Sequence, residues 1–413
     1  MRANSRIIMK RDNAIYLTTR IYPNTNGGTQ HNIGTCRYLQ RYLNVTMVSL
    51  LDPKYSIEDA QVETDRYALD AVFEYECAKS GIIDKFCLLE PVDSNVLATI
   101  YSVIETKSVS WIFYTLKILP YVEKIRKHYP KLKYIYISHN AEFMNIKNDI
   151  IQYDNINNVN KLRHMIKLVQ AKAYILRERE AIKVSDKIFS ISNSDSVYLS
   201  KRYRDDIDKF VLNKPMIAYS TKRNENKWTD ENYSHSILIV GNMNWYPTVK
   251  GIIRFIENVY YKLRETDTSL QLYIVGANPA QELYKKADID SSIIITGYVE
   301  SVNDYYEKCD IAVVPIYEGT GAKLKVLEAV GNRIPVVLTQ YAAKDYEGIE
   351  EAASVAKDDA SLTELVLELM NSAIKRKRLI EQEQKYYVEY MKVNMYVDRF
   401  FEGCKTNSAT EQA

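Results

Sequence analysis

Short strand-like runs alternate with longer helix-like segments along most of the chain, and this alternation limits the fold more than any other feature of the sequence. The runs are rich in β-branched and aromatic residues. Strands that alternate with helices in this way form βαβ units with parallel strands. The runs are residues 14–19, 45–50, 85–89, 110–114, 133–138, 187–192, 237–241, 271–276, 292–297, 310–315, 334–339 and 353–356.

A polar stretch divides the alternation into two halves. Residues 220–236 carry many charges and no apolar period, which is typical of a linker. A chain of 413 residues can form two or three domains. We therefore expect an α/β protein with two doubly wound, Rossmann-like domains at residues 1–225 and 232–375. After about residue 360 the sequence is helical throughout.

Charge is divided unevenly between the halves, although the net charge is only +2. Residues 1–230 contain 35 Lys and Arg against 26 Asp and Glu, and the remainder contains 20 against 27. The positive half, with its densest cluster at residues 124–133, favours an anionic partner such as a membrane surface or a phosphate-bearing acceptor. The alternative is an ordinary solvated face. We expect no nucleic-acid partner, and the sequence does not predict an oligomeric state.

The compartment is predicted from the cysteines and the apolar runs. The five cysteines are scattered without a CxxC spacing, which indicates reduced thiols rather than a disulfide framework or a zinc site. No signal peptide and no membrane-spanning segment is expected. These features predict a cytoplasmic protein, located in the cytoplasm or at the inner face of the membrane.

The segment EGTGAKLKVLE at residues 318–328 has the composition of an anion-binding turn. Gly319 and Gly321 would let backbone N–H groups approach a ligand closely. Lys323 is expected in the first turn of the next helix, where the helix dipole disfavours a cation unless a negative ligand is present. Glu328 can accept hydrogen bonds from a pair of sugar hydroxyls. The alternative is a solvent-facing helix start with a chance lysine.

Glycine or proline ends several strands of the second half. Gly241, Gly276 and Gly297 end successive runs, and Pro315 precedes the glycine-rich segment. Ligands of doubly wound sheets bind at the carboxyl ends of the strands, so we expect a ligand there, in a cleft between the domains. Glycines at strand ends also serve ordinary turn geometry.

Three segments of the second half resemble, in order and spacing, the C-terminal domain of the retaining GT-B glycosyltransferases of family 4, the sucrose-synthase-like class. They are residues 240–259, 272–279 and 293–339. The resemblance implies that this domain binds a nucleoside diphosphate, and that a C-terminal helix at about residues 380–413 crosses back to the first domain. By resemblance, Lys250 and Lys323 hold the diphosphate.

The same resemblance assigns roles to residues at either end of this domain. Glu328 corresponds to the late glutamate of the family's E-x7-E motif, which hydrogen-bonds the ribose, and Gly297 and Tyr298 would lie beside the base. The early glutamate of the motif is replaced here by Thr320, and Glu318 stands two residues before it. This departure leaves the contact to the donor sugar open. Lys325 is either a helix-surface residue or a second phosphate contact.

The first domain matches the family at two positions. Gly27 and Gly28 correspond to a glycine pair that lets backbone amides approach the donor diphosphate, and a flexible turn is the alternative. His139 and Asn140 follow a strand and correspond to the family's histidine beside the donor sugar. The predicted catalytic residues are His139, Lys250, Lys323 and Glu328. The predicted donor-binding residues are Gly27, Gly28, Asn140, Gly241, Asn242, Gly297, Tyr298, Glu318, Gly319, Thr320, Gly321 and Ala322.

The resemblance implies a retaining glycosyltransferase of the hexosyltransferase type, with a nucleotide-sugar donor and a saccharide or lipid-linked acceptor, in surface polysaccharide assembly. We expect no cofactor, and no obligatory metal because no Asp-x-Asp ends a strand of the catalytic segment. Two alternatives stay open. One is a non-catalytic sugar- or partner-binding subunit, which the Thr320 departure favours, and the other is a related enzyme such as a nucleotide-sugar epimerase.

Overall fold

The computed structural model divides the chain into two compact units. Unit 1 comprises Met1–Ala218 and Met395–Ala413, and unit 2 comprises Tyr219–Asn394. The sequence places the start of the returning C-terminal segment near residue 380, whereas the division falls at Met395. The described residues are 11–19, 21–22, 27–76, 90–139, 161–217, 233–243, 245–319 and 321–410.

Unit 1 is built on a seven-stranded sheet. Its strands are β1 Asn13–Thr19, β2 Asn44–Leu51, β3 Asp70–Tyr75, β4 Val109–Thr115, β5 Lys133–Ser138, β6 Lys187–Ser190 and β7 Phe210–Leu212. Its first helices are α1 Gly27–Leu39, α2 Ile57–Asp65, α3 Ser94–Thr106, α4 Leu119–His128, α5 Lys161–Val184 and α6 Asn193–Arg202. The strand order is β3-β2-β1-β4-β5-β6-β7, and all pairings are parallel.

Helix α3 shows how the sequence covers one face of this sheet. Asp93 caps its N-terminus by accepting hydrogen bonds from the backbone N–H groups at positions 95 and 96. Val96, Ile100 and Val103 recur on one side of the helix and are buried with residues of β1 and β4. Within β4, Ile112 belongs to this core, so the residues on either side of it point to the opposite face.

The opposite face of the sheet is covered by α15, Met395–Thr410, the last helix of the chain. Its Phe400 ring lies 5.9 Å from Trp111 of β4 and 5.4 Å from Phe189 of β6. The neighbouring Phe401 stacks on Tyr42 at 4.6 Å. The C-terminal residues are therefore part of the core of unit 1.

Unit 2 is built on a six-stranded sheet. Its strands are β8 Ser236–Val240, β9 Gln271–Val275, β10 Ile293–Gly297, β11 Ile311–Val314, β12 Val336–Thr339 and β13 Ser354–Ala356. Its helices are α7 Tyr246–Phe255, α8 Tyr261–Thr266, α9 Gln281–Ile289, α10 Asn303–Lys308, α11 Lys325–Gly331, α12 Gln340–Ala343, α13 Asp359–Met370 and α14 Ala373–Lys392. The order is β10-β9-β8-β11-β12-β13, again with parallel pairings.

Helix α7 lies unusually close to the end of β11. A Cβ atom added at Gly251 would stand 1.9 Å from the Pro315 carbonyl oxygen, so only glycine permits this approach. The helix continues through a π-helical turn, Ile256–Tyr260, into α8. Phe255, Ile256 and Val259 are fully buried in the core of unit 2. Close packing of α7 brings its first turns to the carboxyl end of the sheet.

The prediction of two doubly wound α/β domains is confirmed. The predicted run at residues 85–89 lies outside the described residues. Strands β3 and β7 were not predicted from the sequence. Within the described part of the chain, no helix is both long enough and apolar enough to cross a membrane.

Candidate functional site

The predicted site residues of unit 2 gather at one edge of its sheet. Because all pairings are parallel, the carboxyl ends of the strands lie at this edge. Gly241 follows β8, Gly297 ends β10, and residues 318–321, here called the glycine turn, follow β11. Thr320 lies outside the described residues. The edge is therefore where a ligand of this unit would be sought.

The glycine turn has a backbone that requires glycine. Gly319 has a φ of 110° and Gly321 has a φ of 71°, which side-chain-bearing residues rarely adopt. A Cβ atom at Gly319 would also stand 2.9 Å from the Trp245 ring. Both glycines are thus explained by the local fold, and neither alone demonstrates a ligand.

Side chains on both sides hold the glycine turn in place. Tyr317 donates a hydrogen bond to Asp359 Oδ1 at 3.0 Å, and the Arg254 guanidinium lies over the Tyr317 ring at 4.0 Å. On the other side, the Tyr341 hydroxyl donates to the carbonyl oxygen of Gly319. A turn fixed in this way presents its groups without reorganisation when a ligand binds.

Lys250 of α7 reaches the glycine turn from outside. Its Nζ lies 2.9 Å from Glu318 Oε1, and the two side chains are 56% and 41% exposed. The hydrogen bond to Glu318 raises the pKa of Lys250, so the ammonium stays charged. This cation is held at the surface by a carboxylate that an incoming anion could replace.

Lys323 is placed differently from the expectation. It precedes α11 instead of lying in its first turn, and only 5% of the residue is exposed. Its Nζ donates to the Gly321 carbonyl oxygen and lies 3.9 Å from Asp345 Oδ2, whose side chain is 3% exposed. The Tyr341 ring lies 5.1 Å from the same ammonium. The ammonium is therefore surrounded by internal partners.

Glu328 lies on α11 and is 5% exposed. Its carboxylate accepts a hydrogen bond from Lys325, whose side chain is 28% exposed. The sequence left Lys325 as either a helix-surface residue or a second phosphate contact. The structure gives it another role, as the ion-pair partner of Glu328. A carboxylate held by one cation keeps acceptor capacity for further donors.

The strand-end glycines form a second group at the same edge. A Cβ atom at Gly276 would stand 1.8 Å from the Gly241 carbonyl oxygen, and the Gly276 N–H donates to the Gly297 carbonyl oxygen at 3.2 Å. Asn242 is exposed, and Tyr298 is 60% exposed. Ala322 is partly buried beside the glycine turn.

In unit 1, the predicted residues lie around the carboxyl ends of β1 and β5. Helix α1 begins at Gly27 and Gly28. His139 directly follows β5, and its Nε2 lies 2.8 Å from Oδ1 of Asn32 on α1. Asn140 lies outside the described residues. The glycine pair and the histidine are thus joined through one helix.

Sequence reasoning missed several residues that the structure places in these groups. They are Asn32 and His31 in unit 1, and Trp245, Tyr341 and Asp345 in unit 2. The sequence contains a local indication of His31 and Asn32, because they are adjacent polar residues in the helix that begins at the glycine pair. Polar residues on the buried face of a helix are unusual. The other three are far from their partners in sequence and give no local signal.

Comparison with known proteins agrees with the architecture. Residues 234–372 match the family model "Glycosyl transferases group 1". No curated protein shows significant sequence similarity to the chain. A glycosyltransferase from Rickettsia africae is similar in structure, with 14% identity, 95% of this chain and 98% of that chain covered, and a TM-score of 0.57.

Two further solved structures are similar over nearly their whole length. Sucrose-phosphate synthase from Thermosynechococcus elongatus shows 12% identity, 97% and 100% coverage, and a TM-score of 0.61. HepE from Anabaena, in complex with UDP, shows 9% identity, 95% and 100% coverage, and a TM-score of 0.58. At these identities the likeness establishes the GT-B fold. The match to the group 1 family model covers residues 234–372, which lie in unit 2.

Proposed function

We propose that the protein is a retaining glycosyltransferase of family 4 that moves a hexose from a nucleoside diphosphate sugar to a saccharide or lipid-linked saccharide. The observation that carries the proposal is the glycine turn, with Lys250 beside it, inside the region that matches the group 1 family. Similar structures contain UDP, UDP with glucose, and UDP-2-fluoro glucose. The donor of this chain would occupy the same edge of unit 2.

Each group at this edge has a role in the proposed donor site. Lys250 exchanges Glu318 for a phosphate oxygen, since charge-assisted hydrogen bonds to phosphate are strong. The fixed amides of the glycine turn face the diphosphate, and Glu328 accepts hydrogen bonds from the ribose hydroxyls. Lys323 adds positive charge from inside the unit, without needing to leave Asp345.

The chemistry follows from the charge that develops. Cleavage of the bond between the sugar and the diphosphate leaves negative charge on the phosphate, and preorganised cations and amides stabilise that charge. In the proposed retaining reaction, the departing phosphate oxygen takes the acceptor proton, so no protein general base is required. A product with inverted anomeric configuration, determined by NMR, would contradict this mechanism.

We also propose that no metal is required, and unchanged turnover in excess chelator would support that.

Binding of the donor is tested by a thermal-shift screen against UDP-, GDP- and dTDP-sugars. A ligand that binds only the native state raises its apparent stability, by about 2.7 kcal/mol at a hundredfold excess over Kd. One nucleotide series should raise the melting temperature, and Lys250→Ala should reduce that rise. Lys262→Ala, at an exposed position in α8, is the matched control. A protein that binds saccharide but no nucleotide would instead be the non-catalytic subunit.

The acceptor is proposed to be membrane-proximal, in surface polysaccharide assembly. Lys124 and Lys127 of α4 are exposed, as are Lys172, Arg179 and Lys183 of α5. Clustered cations of this kind are attracted to anionic lipid headgroups. The protein should sediment with anionic vesicles at low salt and not with zwitterionic ones. Lys124→Glu with Lys127→Glu should weaken sedimentation, and Lys262→Glu in unit 2 should not.

A further inference from the structure

A buried polar cluster lies between α1, β1 and β5 in unit 1. Asn32 of α1 is 4% exposed and lies at its centre. Its Oδ1 accepts a hydrogen bond from the Tyr16 hydroxyl at 2.9 Å, and its Nδ2 donates to Thr18 Oγ1 at 2.9 Å. The reverse orientation of the amide would leave the buried Tyr16 O–H without an acceptor among the described residues, so the buried cluster favours this orientation.

The orientation of Asn32 decides which nitrogen of His139 carries the proton. His139 Nε2 lies 2.8 Å from the same Oδ1 that accepts from Tyr16. A carboxamide oxygen accepts and never donates, so Nε2 must be the N–H of the ring. The lone pair then lies on Nδ1, because a neutral imidazole has one donor and one acceptor nitrogen.

The surroundings of His139 oppose a positive charge. Burial, followed by the positive charge of Lys117, lowers the pKa of His139 to about 4. His31 of α1 packs edge-on against it, with ring centres 5.5 Å apart. The pKa of His31 is lowered to about 3, chiefly by burial and then by His139. The described groups near His139 thus include a second neutral imidazole, a cation and the Tyr16 hydroxyl.

We propose that Asn32 is a positioning residue that holds His139 in the neutral Nε2–H form, so that Nδ1 accepts a hydrogen bond from a hydroxyl of a sugar substrate. The role of the hydroxyl rests on the proposed function, in which the substrates carry sugar hydroxyls. The tautomer itself does not depend on the proposed function. The sequence left open whether His139 accepts or donates, and the geometry of Asn32 selects acceptance.

The tautomer is tested by NMR on the full chain labelled with ¹⁵N-histidine, without any ligand. Two-bond ¹H–¹⁵N correlations identify the protonated nitrogen of each ring, and His139→Gln assigns the signals. His139 should show a protonated Nε2 and an unprotonated Nδ1 from pH 5 to 8. A protonated Nδ1 in the wild-type protein would overturn the proposal.

Variants separate positioning from a merely structural role. Asn32→Asp keeps the shape and introduces a carboxylate beside Nε2, so the pKa of His139 should rise by at least about one unit. Asn32→Leu should give a mixture of His139 tautomers. Thr35→Val, which removes a 3.1 Å contact to His31 Nε2, is the control and should leave the His139 signals in place. Unchanged His139 signals in both Asn32 variants would overturn the proposal.

Turnover links the tautomer to the reaction. The proposal expects Asn32→Asp to add an acid limb to the pH profile of kcat at the pKa that NMR measures for His139 in that variant. An Asn32→Asp profile with the wild-type shape, despite a raised His139 pKa, would overturn the role of His139 as an acceptor. If the protein binds no nucleotide sugar at all, the proposed function fails while the tautomer result stands.

Discussion

Lys323 and Asp345 are both almost completely shielded from water, which changes what a substitution of either one is expected to do. Removing one partner of a buried ion pair leaves an uncompensated charge, at a cost of about 3–5 kcal/mol. Lys323→Ala should therefore lower the free energy of unfolding as well as donor binding. Chemical denaturation, with calorimetric titration of the nucleotide, measures the two effects separately.

The double variant Lys323→Ala with Asp345→Ala provides the control. It removes the unpaired carboxylate, so it should recover part of the lost stability but none of the lost donor affinity. The coupling between the two substitutions is obtained from a double-mutant cycle. Additive stability losses would show that the two side chains do not interact, which would contradict the ion pair.

The lysines also show how far the sequence predicts single residues. The motif predicts that Lys250 and the glycine turn belong to one site, and the structure places Lys250 against Glu318 of that turn. The motif could not reveal that Glu318 binds Lys250, because the two are 68 residues apart in sequence. Nor could it place Lys323 against Asp345. Pairs of this kind depend on the packing of several elements, and no local pattern encodes them.

At the scale of elements, Gly251 determines how closely α7 approaches β11. Gly251→Ala would place a Cβ atom 1.9 Å from the Pro315 carbonyl oxygen, and backbone cannot yield as a flexible side chain can. Overpacking costs about 1–3 kcal/mol and sometimes more, so the melting temperature of unit 2 should fall. Calorimetry of the full chain measures this change.

Gly403 provides the matched control, since it also lies inside a helix, α15. A Cβ atom there would meet nothing within 4 Å. Alanine is the better helix former by about 0.8–1 kcal/mol, so Gly403→Ala should stabilise unit 1 slightly. If both alanine variants changed stability in the same direction, close approach would not explain Gly251.

Phe401 tests whether α15 is an integral part of unit 1. It is 4% exposed, stacks on Tyr42 and lies 5.7 Å from Trp111. Replacing a buried Phe with Ala costs about 3–5 kcal/mol, so Phe401→Ala should strongly destabilise unit 1. Hydrogen exchange should show faster opening of β4 and little change in β8. Equal effects in both strands would contradict the assignment of α15 to unit 1.

Most elements were predictable because their sequences show them locally. The β-branched and aromatic runs of β1, β2, β4 and β5 match the predicted strands. Strand β3, DAVFEY, was missed because it is an edge strand whose acidic residues interrupt the apolar pattern. Strand β7 has only three residues, too few for any periodicity. The division at Met395 has no local signal, because α14 and α15 are equally helical in sequence.

At the scale of the whole molecule, Glu383 of α14 should make stability depend on pH. It is fully buried, its Oε1 accepts from the Val336 N–H at 2.9 Å, and burial raises its pKa well above the ordinary value. The folded state therefore keeps the proton that the unfolded state releases above about pH 4.3. Stability from this residue is lost as the pH rises from there towards the folded pKa.

Glu383→Gln removes this dependence because the amide is neutral and can keep the bond to Val336. The variant should melt at a higher temperature than the wild-type protein at pH 8, with the difference disappearing near pH 4. Melting curves across this range measure it. A difference that is constant with pH would mean that Glu383 does not take up a proton on folding.

The return of α15 to unit 1 has a consequence for synthesis on the ribosome. Unit 2 is one continuous stretch of chain, Tyr219–Asn394, whereas unit 1 is completed only by residues that are translated after unit 2. While unit 2 is being translated, the first half of the polypeptide therefore lacks α15, the helix that packs on Trp111 and Phe189. Nascent chains stalled after residue 394 should engage chaperones that the released protein no longer needs.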